Sequence, residues 1–173
     1  MKLGLYTLII ENHMNKFPGF YGPAGGIFVP FSNFEWGWGM GYVLLPSSHP
    51  FYGKYYDNIN VNVHGGLTFS ESFSNLKFLE WIEGREIIGD VTRDNFEKFN
   101  NYWIIGFDTN HSGDNLVSCS KKYVINETNY LLKQCLDDKI EGIKNYKDIL
   151  RKDKLKAINS RPGIGSDFDS GGA

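Results

Sequence analysis

The sequence predicts an α+β fold: a single domain with a mainly antiparallel or mixed sheet and one or two C-terminal helices. Three observations predict it. Short apolar runs bounded by Gly, Pro and Asn recur through the first two thirds of the chain, most clearly at Ile59–Val63 and Tyr102–Phe107. Helical spacing of apolar residues begins only after Asn126. Aromatic residues make up 16% of the chain beside 20 glycines, which suits turn-rich aromatic packing rather than a helical bundle.

Met1 to Ile10 is the first apolar element, and Tyr6, Thr7, Ile9 and Ile10 favour a strand over a helix. Asn15 to Gly26 is broken by Pro18, Gly19, Gly22, Pro23 and two further glycines, so it is loop, and Ile27–Phe31 is a short strand ended by Pro30. Phe34 to Gly41 alternates aromatics with glycines. It is read either as a tight turn where backbones approach closely, or as a flat wall, with Trp36 and Trp38, for a ring-shaped ligand. Tyr42–Leu45 is a strand, and Pro46 to Tyr56 a loop carrying His49. Ile59-Asn60-Val61-Asn62-Val63 alternates strictly, the period of a strand with one buried face. Leu67–Phe69 is the next strand, entered through Gly65-Gly66.

Ser70 to Asn101 has the weakest pattern, with a hairpin or extension over Trp81–Asp90 and one or two helical turns over Asp94–Phe99. Tyr102–Phe107 is the most apolar run and reads as a central strand. Asn126 is a suitable N-cap for a helix starting at Glu127, with Leu131, Cys135 and Tyr130 turned inward. A Lys/Asp-rich helix over Asn145–Ile158 is exposed, with Ile149, Leu150 and Leu155 as its apolar side. The domain thus spans residues 1–158, and 159–173 is a Gly/Ser/Asp-rich flexible tail.

A net charge of -2 gives no basic field to draw nucleic acid. The apolar start is too short for a membrane helix, which needs about 20 residues, and lacks the features of a signal peptide. Two cysteines, Cys119 and Cys135, are too few for a disulfide scaffold and fit a reducing cytosol.

The chemistry concentrates in two segments, Val63-His64-Gly65-Gly66-Leu67-Thr68-Phe69 and Gly106-Phe107-Asp108-Thr109-Asn110-His111-Ser112-Gly113-Asp114. Asp108, His111 and Asp114 are spaced three apart after a strand, and His64 ends a neighbouring one. Carboxylate oxygens and imidazole nitrogens suit a divalent metal, and His64, Asp108, His111 and Asp114 are the candidate ligands and catalytic groups, with His49 a further candidate. Without metal, an Asp–His pair supplies a general base. Gly65-Gly66 and Ser112-Gly113 then offer backbone N–H groups to an oxyanion or phosphate, and Thr68 a hydroxyl. An architectural reading stands beside these: the histidines hydrogen-bond to Asp108 or Asp114 and hold two turns together. Cys119 reads as a small buried side chain rather than a nucleophile. His13 lies in a loop and takes no role. No H-E-x-x-H, paired C-x-x-C, Walker or G-x-G-x-x-G motif is present.

The ordered string Gly41-Tyr42-Val43 to Pro46, His49-Pro50, Tyr52-Gly53, Val63–Phe69 and Gly106-Phe107-Asp108 with His111 and Gly113-Asp114 resembles a family of small uncharacterised bacteriophage and prophage proteins. The resemblance covers about Gly39 to Ile140. Family members often carry Cys where this chain has Thr109, and an aromatic pair at Trp103-Ile104; Asn75–Asn95 looks like an insertion of variable length. The resemblance implies a phage origin and a location in the host cytoplasm, and supplies no reaction.

Three functions follow as expectations. The first is a hydrolase-like enzyme, assisted by a divalent metal, acting on a small phosphorylated or nucleotide-type molecule. The second is a binding protein that sequesters a host nucleotide signal, with Trp36 and Trp38 stacking on the base. The third is a phage structural or host-protein-binding domain. None involves nucleic acid or a membrane.

Overall fold

Strand β2 (Gly39–Leu45) is buried at every position and organises the sheet. In the computed structural model, residues 4–12, 36–75, 82 and 84–159 are described. The loop at 15–26, the strand at 27–31, His13 and the tail from 160 lie outside them. Beside β2 run β1 (Tyr6–Glu11), β3 (Phe69–Ser72), β4 (Ile87–Gly89) and β5 (Trp103–Phe107). The order is β3-β5-β2-β1-β4, and every pairing is antiparallel. β1 registers on β2 from Tyr6↔Leu44 to Glu11↔Gly39, and β5 from Gly41↔Phe107 to Leu45↔Trp103. With helices α1 (Lys121–Gln134) and α2 (Ile143–Asn159), this is an α+β domain with C-terminal helices.

Both sheet faces are covered, so β1, β2 and β5 are apolar runs rather than alternating ones. On one face Ile9, Val43, Leu45, Ile105 and Phe107 meet Val124 and Leu131 of α1 and Ile143 and Tyr146 of α2. On the other, Leu8, Ile10, Tyr42, Leu44 and Ile104 pack under Phe73, Ile82, Val91 and Phe99. Phe99 ends a 3-10 segment, Arg93–Phe99, where helical turns were expected.

Helix α1 starts a turn and a half earlier than the sequence suggests. Ser120, not Asn126, is its N-cap, its hydroxyl accepting from Tyr123 N–H at 3.3 Å. Val124, Thr128, Leu131 and Cys135 form the buried stripe, while Tyr130 turns outward. Burying Val124 and Leu131 contributes about 1.5–3 kcal/mol each. The helix sits close because β2 has glycine beneath it: a Cβ on Gly41 would lie 2.0 Å from Thr128 Oγ1 and 2.7 Å from the Phe107 ring. The Thr128 hydroxyl turns back to the Val124 carbonyl at 2.7 Å.

Ile59–Val63 is not a strand of the sheet. Its alternation does bury Ile59 and Val63 and expose Asn60 and Asn62. Its hydrogen bonds are local or go to one helix side chain: Ile59 N–H donates to the Tyr56 carbonyl at 3.1 Å and Val61 N–H to the Ile59 carbonyl at 3.2 Å, while Asn62 N–H donates to Gln134 Oε1 at 2.7 Å and Gln134 Nε2 donates to the Asn62 carbonyl at 2.8 Å. Period-two burial specifies an extended backbone with one inner face, not what satisfies its amides. The remaining runs shift modestly: β3 begins at Phe69, and α2 begins at Ile143, with residues 151–158 exposed. Among the described residues, no helix is long and apolar enough to cross a membrane.

Candidate metal centre

Two turns, one on the approach to β3 and one in the loop after β5, meet beside the first turns of α1. In the first, Gly66 N–H donates to the Val63 carbonyl at 2.9 Å, and Gly65 takes φ +64, the backbone that a type II turn requires of its third residue. This turn leads towards β3 and presents His64. In the second, after β5, Asp114 N–H donates to the His111 carbonyl at 3.0 Å, with Gly113 at φ +96. It presents His111 and Asp114.

The turns converge on one carboxylate. His64 Nε2 lies 3.0 Å from Asp114 Oδ1 and 3.1 Å from Oδ2. His111 Nδ1 lies 3.2 Å from Asp114 Oδ2, and His111 backbone N–H donates to the same oxygen at 2.8 Å. One ligand atom from each of His64, His111 and Asp114 falls within 4.8 Å of the others. Asp114 is 9% exposed, His64 19% and His111 38%, so the group is open on the His111 side and closed beneath. Burial alone would raise the Asp114 carboxyl, but the His111 backbone N–H, the His64 hydrogen bond and charge, and the His111 ring outweigh it and hold it below the usual carboxylate range. Asp114 is therefore an anion, which can only accept.

Helix α1 and the turn before it complete the surroundings. His64 Nδ1 lies 3.0 Å from the Tyr123 hydroxyl, and His64 backbone N–H donates to Glu127 Oε2 at 3.0 Å. Tyr123 and Glu127 thus fix the ring and the backbone of the same histidine, one helical turn apart. Burial, then Glu127, Cys119 and Asp114, raise the Tyr123 phenol, which stays protonated. Cys119 is 2% exposed and its Sγ lies 3.5 Å from Asp114 Oδ1 and 3.9 Å from His64 Nε2. Burial pushes the Cys119 thiol up, and the neighbouring Asp114 charge pushes it further, while Ser118 draws it down.

The other expected site residues are elsewhere. Asp108 is not part of the group. It accepts the Asn110 N–H at 3.0 Å and lies near the buried Tyr42 phenol, whose pKa is raised by burial and then by the Asp108 charge. Asp108 follows Phe107, whose side chain faces the helices, so alternation turns Asp108 to the opposite face. His49 is a buried structural residue: Nδ1 accepts from Phe51 N–H at 3.1 Å, and Nε2 donates to the Cys135 carbonyl at 2.9 Å. It stands at the far end of α1, about 18 Å along the axis from Tyr123. Burial lowers its pKa and keeps it neutral. Thr68 N–H donates to the Gly106 carbonyl at 2.9 Å. Trp38 packs against the core with Lys121 Nζ 5.2 Å from its ring centroid, and Gly37 is pressed against Thr109 and Cys119. The aromatic–glycine stretch acts at Gly37 as a close backbone approach. Thr109 is fully buried, its hydroxyl on the Gly39 carbonyl at 2.7 Å.

Cys119 is buried, as the sequence suggests, whereas a helix beginning at Glu127 leaves Tyr123 outside it and gives Glu127 no partner. Ser120 ahead of Val124, Thr128, Leu131 and Cys135, spaced four, three and four, is the signal that places Tyr123 in the first turn. Comparison with protein-family models, curated proteins and solved structures finds no match to this chain.

Proposed function

We propose that His64, His111 and Asp114 form a mononuclear divalent-metal centre, and that the protein is a hydrolase-like enzyme acting on a small phosphorylated or nucleotide-type molecule. The observation that carries this is the convergence of two imidazoles and one ionised carboxylate within 4.8 Å, at the surface yet closed beneath. Two histidines and a carboxylate leave positions free for water, and a bound cation lowers the pKa of that water and polarises an attacked oxygen. Tyr123 supports the reading. A metal on His64 Nε2 would leave Nδ1 as an N–H donor, and the Tyr123 hydroxyl oxygen, 3.0 Å away, is placed to accept that hydrogen bond, as outer partners of metal-ligating histidines do. The Gly66 N–H is spent on the Val63 carbonyl, but the second turn leaves its backbone approachable, since a Cβ on Gly113 would meet nothing within 4 Å. That openness suits an anionic oxygen seeking N–H donors. The resemblance of the motif string to phage and prophage proteins supports a phage origin and a role in the host cell.

The test is elemental analysis of protein purified without a metal-affinity step and then reconstituted with zinc or manganese, beside the His64→Ala/His111→Ala variant. About one metal per chain, lost in a variant that keeps its circular dichroism spectrum, is expected, together with loss of hydrolysis across a panel of small phosphoesters. Absence of metal from reconstituted wild type overturns the metal reading. Metal binding with no turnover, and recovery of an intact nucleotide from denatured protein, would favour sequestration.

A further inference from the structure

We propose that Cys119 is a fourth donor to this centre, so that it takes a borderline or soft cation such as zinc, cobalt(II) or iron(II) and rejects magnesium and calcium. The inference rests on the three-residue centre above and adds the metal class it accepts. Donors held about 2.0–2.3 Å from a tetrahedral cation stand about 3.3–3.7 Å from one another. Cys119 Sγ is 3.5 Å from Asp114 Oδ1 and 3.9 Å from His64 Nε2, close to those edges. Two edges within the three-residue group, 3.0 Å from His64 to Asp114 and 3.2 Å from Asp114 to His111, are a little shorter, as expected of donors joined by hydrogen bonds, so Cys119 joins the group on the His64–Asp114 side.

The fold holds the thiol in place independently. Cys119 N–H donates to the Asn115 carbonyl at 2.8 Å, and its own carbonyl accepts from Trp38 N–H at 2.8 Å. Gly37 packs against its Cβ. The sulfur lies on the buried side and His111 on the more exposed one, so water reaches the centre from the His111 side. Binding requires the thiolate. The thiol proton leaves to solvent as the S–metal bond forms. A thiolate in the set is what selects softer cations.

The experiment uses the full chain, stripped with a chelator and titrated with cobalt(II) alone, in wild type, Cys119→Ser and Cys135→Ser. The chain has two cysteines, so a sulfur-to-cobalt charge-transfer band that persists in Cys135→Ser belongs to Cys119 even if Cys119→Ser fails to fold. The expected result is visible ligand-field bands with a near-ultraviolet charge-transfer band in wild type and Cys135→Ser. In Cys119→Ser the charge-transfer band disappears, the ligand-field bands remain, and cobalt binds about tenfold or more weakly. Ligand-field bands with no charge-transfer band in wild type overturn the role of Cys119 and leave the three-donor centre standing. Absence of any cobalt spectrum overturns both.

Discussion

Gly65 and His111 occupy adjoining space: a Cβ on Gly65 would lie 2.3 Å from Cε1 and 2.6 Å from Nε2 of the His111 ring. The turn that presents one histidine is thus the wall against which the other rests. Gly65→Ala meets both this clash and an unfavourable φ of +64, and should cost about 1–3 kcal/mol. Gly66→Ala faces open space at φ +85 and should cost only the backbone strain, about 1–2 kcal/mol. Denaturant unfolding and metal content measured on both separate the effects. Gly65→Ala should lose metal, and Gly66→Ala should keep it.

Asp114 accepts from both imidazoles, a backbone amide and a thiol. Asp114→Asn preserves shape but cannot satisfy those donors as an anion does, and should destabilise the metal-free protein by about 2 kcal/mol at neutral pH.

The same carboxyl sets an acid limit. Its folded pKa lies below the ordinary 3.8, so the unfolded chain binds the proton more readily. The stabilisation is complete above that ordinary value and is lost as pH falls through the lower folded value. Wild type and Asp114→Asn should therefore converge in stability below about pH 4. A gap in unfolding free energy that stayed constant from pH 7 to pH 2 would contradict the assignment.

Tyr123→Phe removes the partner of His64 Nδ1 while keeping the ring in place. Metal affinity should fall about 10–100-fold with an unchanged fold, read by competition with a chromogenic chelator. Equal affinities in both proteins would remove Tyr123 from the site.

Gly41→Ala drives a methyl into Thr128 and Phe107 and should destabilise by about 1–3 kcal/mol or more. Thr128→Ala introduced with it removes the nearest obstacle, so the double variant should be more stable than the sum of the single losses. Phe107 keeps the recovery partial. Additive losses in a denaturant cycle would show that the helix does not bear on Gly41.

Strands β1, β2 and β5 could be read from the sequence because apolar runs and turn residues report burial directly, as in Tyr102–Phe107, whereas the polar Phe-Ser-Glu-Ser of β3 and the three residues of β4 carry no such run. His64, His111 and Asp114 were legible because each follows such a run into a turn. What was not legible depends on direction and partnership. Strand alternation sends Asp108 to the wrong face although its spacing matches Asp114's. His49 looks like a ligand in a loop, but its two nitrogens are consumed by Phe51 and Cys135. Ile59–Val63 has a strand's period, yet its amides bond locally or, at Asn62, to Gln134.

His64 and Asp114 lie 50 residues apart in the chain, with β3, β4 and β5 passing between them. Their meeting therefore waits on long-range strand pairing and on α1 docking, and closes late in folding. A cation cannot nucleate this protein as zinc nucleates a finger whose ligands are neighbours. A cation at the proposed centre would report instead on chains that have already folded, so metal loading during refolding should trail the recovery of β-sheet signal.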